Sequence, residues 1–220
     1  MKITRFEQSA VLIEYQGDVL AVDFGSYSSE ESLEAAVGTQ PSASLVSHIH
    51  QDHMDAANLE RIGAPVYSVA QVSSALDGHD VETFSYAAGD TVAVEDTEFS
   101  LELVMADHGP NVRERQPDLE NVGFCIRAGG KGVWFFGDMF SESPVPTSGF
   151  DVVLIPVGNN GYTFDPQAAV DFLKKIDFKG IAVPVHYSEK MHPEAGEEFV
   201  KLADGAFETR ILTVGDSLQL

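Results

Sequence analysis

The run His48-Ile49-His50-Gln51-Asp52-His53 places four metal-ligand side chains within six positions. Imidazole nitrogens and carboxylate oxygens are the donors zinc takes where thiolates are missing. Cys125 is the chain's single cysteine, which rules out a thiolate-rich site and an internal disulfide. The run follows the apolar segment Ala43–Val46, so it leaves the end of a strand as a loop. Along extended chain, residues i and i+2 point the same way, which aims His48 and His50 at one point. A turn after them lets Asp52 and His53 offer an oxygen and a nitrogen to a neighbouring point. With seven histidines in the whole chain, a chance match to this pattern is expected on the order of 10⁻³. The chemistry such donors support is metal-assisted hydrolysis, in which the ion activates water and takes up developing charge.

Two ions need more donors than one loop supplies, and further candidates stand where other apolar segments end. His108 follows Ser100–Met105 and is trailed by Gly109-Pro110, Asp138 follows Val133-Trp134-Phe135-Phe136-Gly137, and His186 follows Ile181-Ala182-Val183-Pro184-Val185. Each alone is an ordinary loop residue, but together, in order and all past strand-like segments, they complete a site for a metal pair. Two metals about 3.5–4 Å apart lower the pKa of a shared water and clamp the charge on the attacked group.

The elements that must position these residues follow from pattern. Lys2–Phe6, Val11–Tyr15, Val19–Asp23 and Ser44–Ser47 read as strands, with a helix over Ser29–Ala36. Asp55–Ile62 and Ala70–Leu76 read as helices around a strand at Pro65–Val69. The middle turns to β pattern at Thr91–Val94, Glu98–Met105, Val122–Arg127 and Gly132–Phe136, with a Gly129-Gly130 hairpin. Strands at Val152–Pro156 and Gly180–Val185 then alternate with helices at Pro166–Ile176 and Pro193–Ala203, and Arg210–Thr213 and Ser217–Leu220 close the chain as strands. Meandering β segments with helices at intervals predict two sheets packed face to face with helices outside, in one domain over residues 1–220.

Bulk properties narrow the partners. The net charge of −22 repels phosphate backbones, so nucleic acid is not expected as a partner. No apolar stretch reaches 18 residues, so no membrane span is expected, and the opening Met1–Phe6 carries no secretory pattern. The lone cysteine fits a reducing cytoplasm. A small-molecule substrate is expected, and a homo-oligomer remains open.

His48-x-His50-x-Asp52-His53 followed by His108, Asp138 and His186 resembles the ordered motifs of the metallo-β-lactamase superfamily, over essentially the whole chain. Within it the chain is similar to small metal-dependent hydrolases related to L-ascorbate-6-phosphate lactonase. The supporting stretches are Ile3–Asp23, Asn121-Val122-Gly123-Phe124, Phe136-Gly137-Asp138, and Ile155–Tyr187 with its closing Pro184-Val185-His186-Tyr187. The resemblance implies an α+β fold, a four-layer αββα sandwich with the site at one edge. It implies that His48, His50 and His108 hold a first metal, that Asp52, His53 and His186 hold a second, and that Asp138 bridges them. Two zinc ions are implied, with manganese or iron as alternatives. Asp52 is then also the catalytic group, orienting the hydroxide and protonating the leaving group. The expected reaction is hydrolysis of an ester-type bond, a lactone or a phosphodiester. Thioester hydrolysis, iron-dependent redox chemistry on the same fold and a non-catalytic metal-binding domain are the competing readings. His50 stands where diiron members of the fold tend to carry Glu, and the short stretch after His186 leaves little room for the added helices of thioesterase-type members.

The chain departs from the family at Gln8-Ser9, where relatives often carry a histidine, and at Asp23, which is followed by Phe24-Gly25 rather than proline. Asp23 is expected to orient a ligand histidine. Asn159, Asn160 and Tyr162 lie in a Gly-rich loop after a core segment and are expected, with Tyr187, to contact substrate. Asp165 and Pro166 read as cap and first residue of the next helix. His79 and His192 read as ordinary loop histidines and Cys125 as a buried small hydrophobe. Arg113, Arg115 and Arg127 are scarce cations, and the segment 111–119 is in reach of the site.

Overall fold

The computed structural model describes residues 1–141, 143–158, 161–187 and 192–220. The strands are β1 (Lys2–Arg5), β2 (Val11–Tyr15), β3 (Asp18–Val22), β4 (Ala43–Leu45), β5 (Val66–Ser68), β6 (Thr83–Ser85), β7 (Thr91–Ala93), β8 (Ser100–Met105), β9 (Val122–Ala128), β10 (Lys131–Phe135), β11 (Val152–Pro156), β12 (Ile181–Val185), β13 (Glu208–Thr209) and β14 (Ser217–Gln219). The helices are α1 (Glu30–Gly38), α2 (Ala56–Ile62), α3 (Ala70–Ala75), α4 (Pro110–Arg113), α5 (Pro166–Lys175) and α6 (Ala195–Ala203).

The strands form two mixed sheets, ordered β14-β1-β2-β3-β4-β5-β6 and β13-β12-β11-β10-β9-β8-β7. In each, antiparallel hairpins give way to parallel strands: β3 to β6 run parallel in the first sheet, and β10 to β13 in the second. Alternation along the strands decides the layers. Val11 and Ile13 of β2 and Val152 and Leu154 of β11 enter the core between the sheets. Leu12 of β2 faces outward, clustered with Leu33 and Ala36 of α1 and Ile62 of α2. Val153 and Ile155 of β11 face the opposite way, onto Val170 and Leu173 of α5 and Phe199 of α6. Strands covered on both faces must be apolar at every position, which is why β11 reads Val-Val-Leu-Ile. The result is the αββα sandwich.

Local chemistry sets the boundaries. Asp165 accepts the Ala168 amide at 2.7 Å and starts α5, with Pro166 at the first helical position. Gly129 and Gly130 both hold positive φ, 56° and 76°, as a two-residue hairpin between β9 and β10 requires.

Three elements differ from expectation. Arg210–Thr213 is not a strand: β13 at Glu208–Thr209 pairs with β12 instead, and the chain then crosses to the other sheet. It turns where the Asp216 carboxylate accepts the Thr213 amide at 2.9 Å. β6 is an edge strand too short and too polar to show a period. α4 is a single turn launched by Gly109 and Pro110, a pair that also reads as a loop exit.

Candidate metal centre

Asp23, the histidine run, His108, Asp138 and His186 all lie beyond the C-terminal ends of strands, namely β3, β4, β8, β10 and β12. After β4 the amides of His53 and Met54 both donate to the His50 carbonyl, at 2.9 and 2.8 Å, closing a turn that swings Asp52 and His53 inward. Two donor groups result, each with ligand atoms within 4.8 Å of one another. The first comprises His48, His50, His108 and Asp138, and the second Asp52, His53, Asp138 and His186.

In the first group His50 Nδ1 lies 3.0 Å from His48 Nε2 and 3.2 Å from His108 Nε2, and Asp138 Oδ2 lies 3.3 Å from His108 Nε2. In the second, His53 Nε2 and His186 Nε2 lie 3.1 and 3.2 Å from Asp138 Oδ1, and 3.4 and 3.2 Å from Asp52 Oδ2. Donors held by metal bonds of about 2.0–2.2 Å at tetrahedral angles sit about 3.3–3.6 Å apart, so these spacings suit a small divalent ion in each group. His53 Nε2 and Asp138 Oδ1 are buried and make no well-formed hydrogen bond despite their approach, as expected of atoms aimed at a common point rather than at each other.

Four of the five outward-facing nitrogens are committed elsewhere, and His186 Nδ1 is buried without a hydrogen-bond partner. His53 Nδ1 donates to Asp23 Oδ2 at 2.7 Å and His108 Nδ1 to the Tyr162 carbonyl at 2.9 Å. The Ser47 hydroxyl donates to Asp23 Oδ2 at 2.6 Å and so accepts from His48 Nδ1 at 2.9 Å. His50 is turned the other way, with Nε2 donating to Gln116 Oε1 at 2.9 Å and Nδ1 facing inward. These bonds select the tautomers whose inward nitrogens carry lone pairs, which a cation satisfies.

The frame around the donors is tight. A Cβ on Gly25 would stand 2.3 Å from the Asp52 carbonyl carbon, so the loop after β3 lies directly against the histidine run. One on Gly158 would stand 2.2 Å from the His186 oxygen. Gln8, Asp23 and His186 hold left-handed φ values of 53°, 51° and 53°. Such backbone is uncommon for non-glycine residues and is kept where surroundings over-determine it. Here the His186 amide donates to the Gln8 carbonyl at 3.0 Å and the Ser47 amide to Asp23 Oδ1 at 2.8 Å.

Electrostatics divide the histidines. Burial pushes His48 well below its ordinary value and His108 down to about 4, which keeps them neutral. Burial also opposes charge on His53 and His186, yet the Asp138 carboxylate and its neighbours overcome it, holding His53 well above its ordinary value and His186 at about 9. Burial would raise Asp52 and Asp138, but facing histidines hold both well below the usual carboxylate range. The carboxylates that would draw a cation draw protons in the same way.

The remaining expected residues separate. Asp23 sits behind His53 and Tyr162 contributes its carbonyl, whereas Asn159 and Asn160 lie outside the described residues. Tyr187 was expected against substrate but is buried beneath Arg5, whose guanidinium lies 4.7 Å from its ring centre. Its hydroxyl packs on α6, where a Cβ on Gly196 would stand 2.8 Å from it. Position 8 meets the site through its carbonyl, which accepts the His186 amide. His79 pairs with Glu60 at 2.9 Å, and neither it nor His192 belongs to a donor group. Cys125 is buried in β9, its thiol pushed up to about 12 by burial. Arg127 bonds the Gly149 carbonyl, Arg113 pairs with Asp107 at 3.2 Å and Arg115 is exposed.

Sequence reasoning missed Ser47, whose hydroxyl joins Asp23 to His48, and it missed Gln116. Gln116 lies in the overhanging segment 111–119, but a lone glutamine there carries no pattern. Gln116→Ala is expected to weaken metal uptake by the first group about 10–100-fold, and Gln116→Glu, which keeps an acceptor, to retain it. Competition against a chromophoric chelator measures this, and unchanged uptake in the alanine variant would remove the role.

Comparison with known proteins agrees with the fold. The family model described as Beta-lactamase superfamily domain matches residues 2–186. A UPF0173 metal-dependent hydrolase of Thermoplasma volcanium is 32% identical over 155 residues, covering 67% of this chain and 66% of that protein. Another, from Deinococcus radiodurans, is 28% identical over 192 residues, 82% of this chain and 81% of its own length. Among solved structures, Igni18, a metallo hydrolase from Ignicoccus hospitalis, superposes with a TM-score of 0.79 at 21% identity, covering 100% of this chain and 98% of its own. With two mixed sheets between helices and the donors ordered along strand ends, the chain belongs to the metallo-β-lactamase superfamily.

Proposed function

We propose that the protein is a dinuclear, zinc-dependent hydrolase that cleaves an ester-type bond, a lactone or a phosphodiester, in a small molecule. The observation that carries this reading is Asp138, whose Oδ2 faces His108 of one donor group while its Oδ1 faces His53 and His186 of the other. A single carboxylate addressing two imidazole sets is the arrangement of a bridging ligand, and donors limited to nitrogen and oxygen suit zinc. The relatives' description as metal-dependent hydrolases supports the reaction class.

When bound, such a pair activates water and polarises the attacked group. The chain's own part is to hold and to move protons. Asp23, Ser47, Gln116 and the Tyr162 carbonyl fix the imidazoles of His53, His48, His50 and His108, which limits reorganisation at the moment of reaction. Asp52, kept ionised and with its side chain 20% exposed, stands at the mouth, where its carboxylate can receive a proton from water and return it to the leaving oxygen. The excess of negative charge supports an uncharged or small substrate over nucleic acid. The lone buried thiol fits a cytoplasmic setting.

Metal analysis by mass spectrometry, coupled to turnover of lactones, phosphodiesters and thioesters, tests this reading. Two zinc ions per chain and turnover of an oxygen ester are expected. Fewer than one metal per chain under metal-replete conditions would sink the dinuclear reading, and turnover confined to thioesters would replace the substrate class.

A further inference from the structure

A cleft of 770 Å³ opens beside the donor groups, between the ends of β5, β6 and β8 and the segment that follows α4. It shares two residues with the candidate centre: His108 and Gln116 line the cleft, and both lie against His50 Nδ1 or Nε2. The cleft and the donor atoms are therefore adjacent compartments separated by one wall. Its volume falls in the range of small-molecule pockets, about 300–1,000 Å³.

The lining is apolar where it is deepest. Val69 and Val112 are buried, and Tyr86, Leu119 and Ala88 complete the surface with Met105. Tyr86 is braced by stacking on Tyr67, with ring centres 6.0 Å apart and an interplanar angle of 15°. Met105 is 53% exposed at the end of a strand whose Leu101 and Leu103 are fully buried. A thioether there offers a polarizable surface that adapts to varied apolar shapes.

The charges around the cleft exclude one class of ligand. Its single arginine, Arg113, is spent on Asp107, with Nη1 3.2 Å from each carboxylate oxygen. Asp90 and Glu120 add two further carboxylates, which accept the amides of Ala87 and Gln71 at 2.8 Å. Three acids against one neutralised cation repel a phosphate or carboxylate and tolerate an uncharged group.

We propose that this cleft holds the uncharged, apolar remainder of the substrate, an alkyl or aryl group attached to a neutral lactone or ester. This rests on the reading of the adjacent donor groups as the reaction centre, and it narrows that reading: a phosphate-bearing substrate does not fit. The scissile carbonyl would lie on the metal side of His108 and Gln116, with the apolar remainder among Tyr86, Met105 and Leu119.

The test uses the metal-replete protein, γ-lactones of increasing alkyl length from γ-butyrolactone to γ-dodecalactone, and the uncharged dye N-phenyl-1-naphthylamine. In the wild type kcat/KM is expected to rise up to about fourfold per buried methylene, and γ-dodecalactone is expected to displace the dye. In Met105→Arg, and in Ala88→Trp as a second variant, dye binding should weaken at least tenfold and the advantage of the long lactone should collapse. The metal content should stay at the wild-type value in both. A flat chain-length profile in the wild type, or undiminished dye binding in both variants, overturns the proposal. If no lactone is turned over at all, the reaction reading fails separately, and dye displacement by γ-dodecalactone still decides the cleft.

Discussion

Asp138→Asn is expected to lower turnover by about 10³-fold and to leave the protein with fewer than two metals per chain. The substitution conserves volume, so packing against Asn121, whose side chain donates to the Asp138 carbonyl at 2.7 Å, is preserved. What it removes is charge and one of two equivalent oxygens. Asp138 is almost fully buried, and no other described carboxylate belongs to both donor groups. An amide can present one oxygen to one group, but its nitrogen repels a cation in the other. Steady-state kinetics on the best substrate and metal analysis of the same preparation measure the two effects together. Full metal content with unimpaired turnover would remove Asp138 from the bridging position.

The second large effect is expected at Asp52. Asp52→Asn should lower turnover by roughly 10²–10⁴-fold, the range for losing a positioned acid–base group, while shifting the melting temperature little. Its side chain is partly exposed, and the turn that carries it is closed by main-chain bonds to the His50 carbonyl that the substitution does not touch. Asp138 and His186 are expected to act through metal retention, and Asp52 chiefly through proton transfer. Turnover should therefore fall out of proportion to any loss of metal, and wild-type turnover would take Asp52 out of the mechanism.

The donors could be read from the chain because ligand geometry and strand geometry share a period. His48 and His50 are two apart just past β4, Asp138 and His186 stand past apolar runs that are buried, and His108 follows β8, where Ser100 and Glu102 interrupt the apolar signature. Two sheets with helices outside could be read from the order of meandering β segments and helices, and the structure shows β2 and β11 separating the inner core from the two outer ones. What resisted reading was whatever depends on a tertiary partner. Gln116 matters only because the segment after α4 returns to His50. Tyr187 was misplaced because adjacency in sequence to His186 does not mean adjacency in space. Arg210–Thr213 has strand-like composition, but the register of β13 on β12 ends at Thr209, and the turn held by Asp216 takes the chain away. Asp23 showed a candidate partner for a histidine without showing which one, and the 2.7 Å contact identifies His53.

Gln8, Asp23 and His186 place a conflict between stability and function at this edge of the sandwich. Each non-glycine residue in left-handed backbone costs roughly 1–2 kcal/mol relative to an ordinary conformation. Glycine at position 186 would relax the chain and remove a donor, and glycine at 23 would relax it and free His53 to rotate. The sandwich is thus less stable here than its own sequence space allows, and what it holds in exchange is a set of donors already in place before any ion arrives.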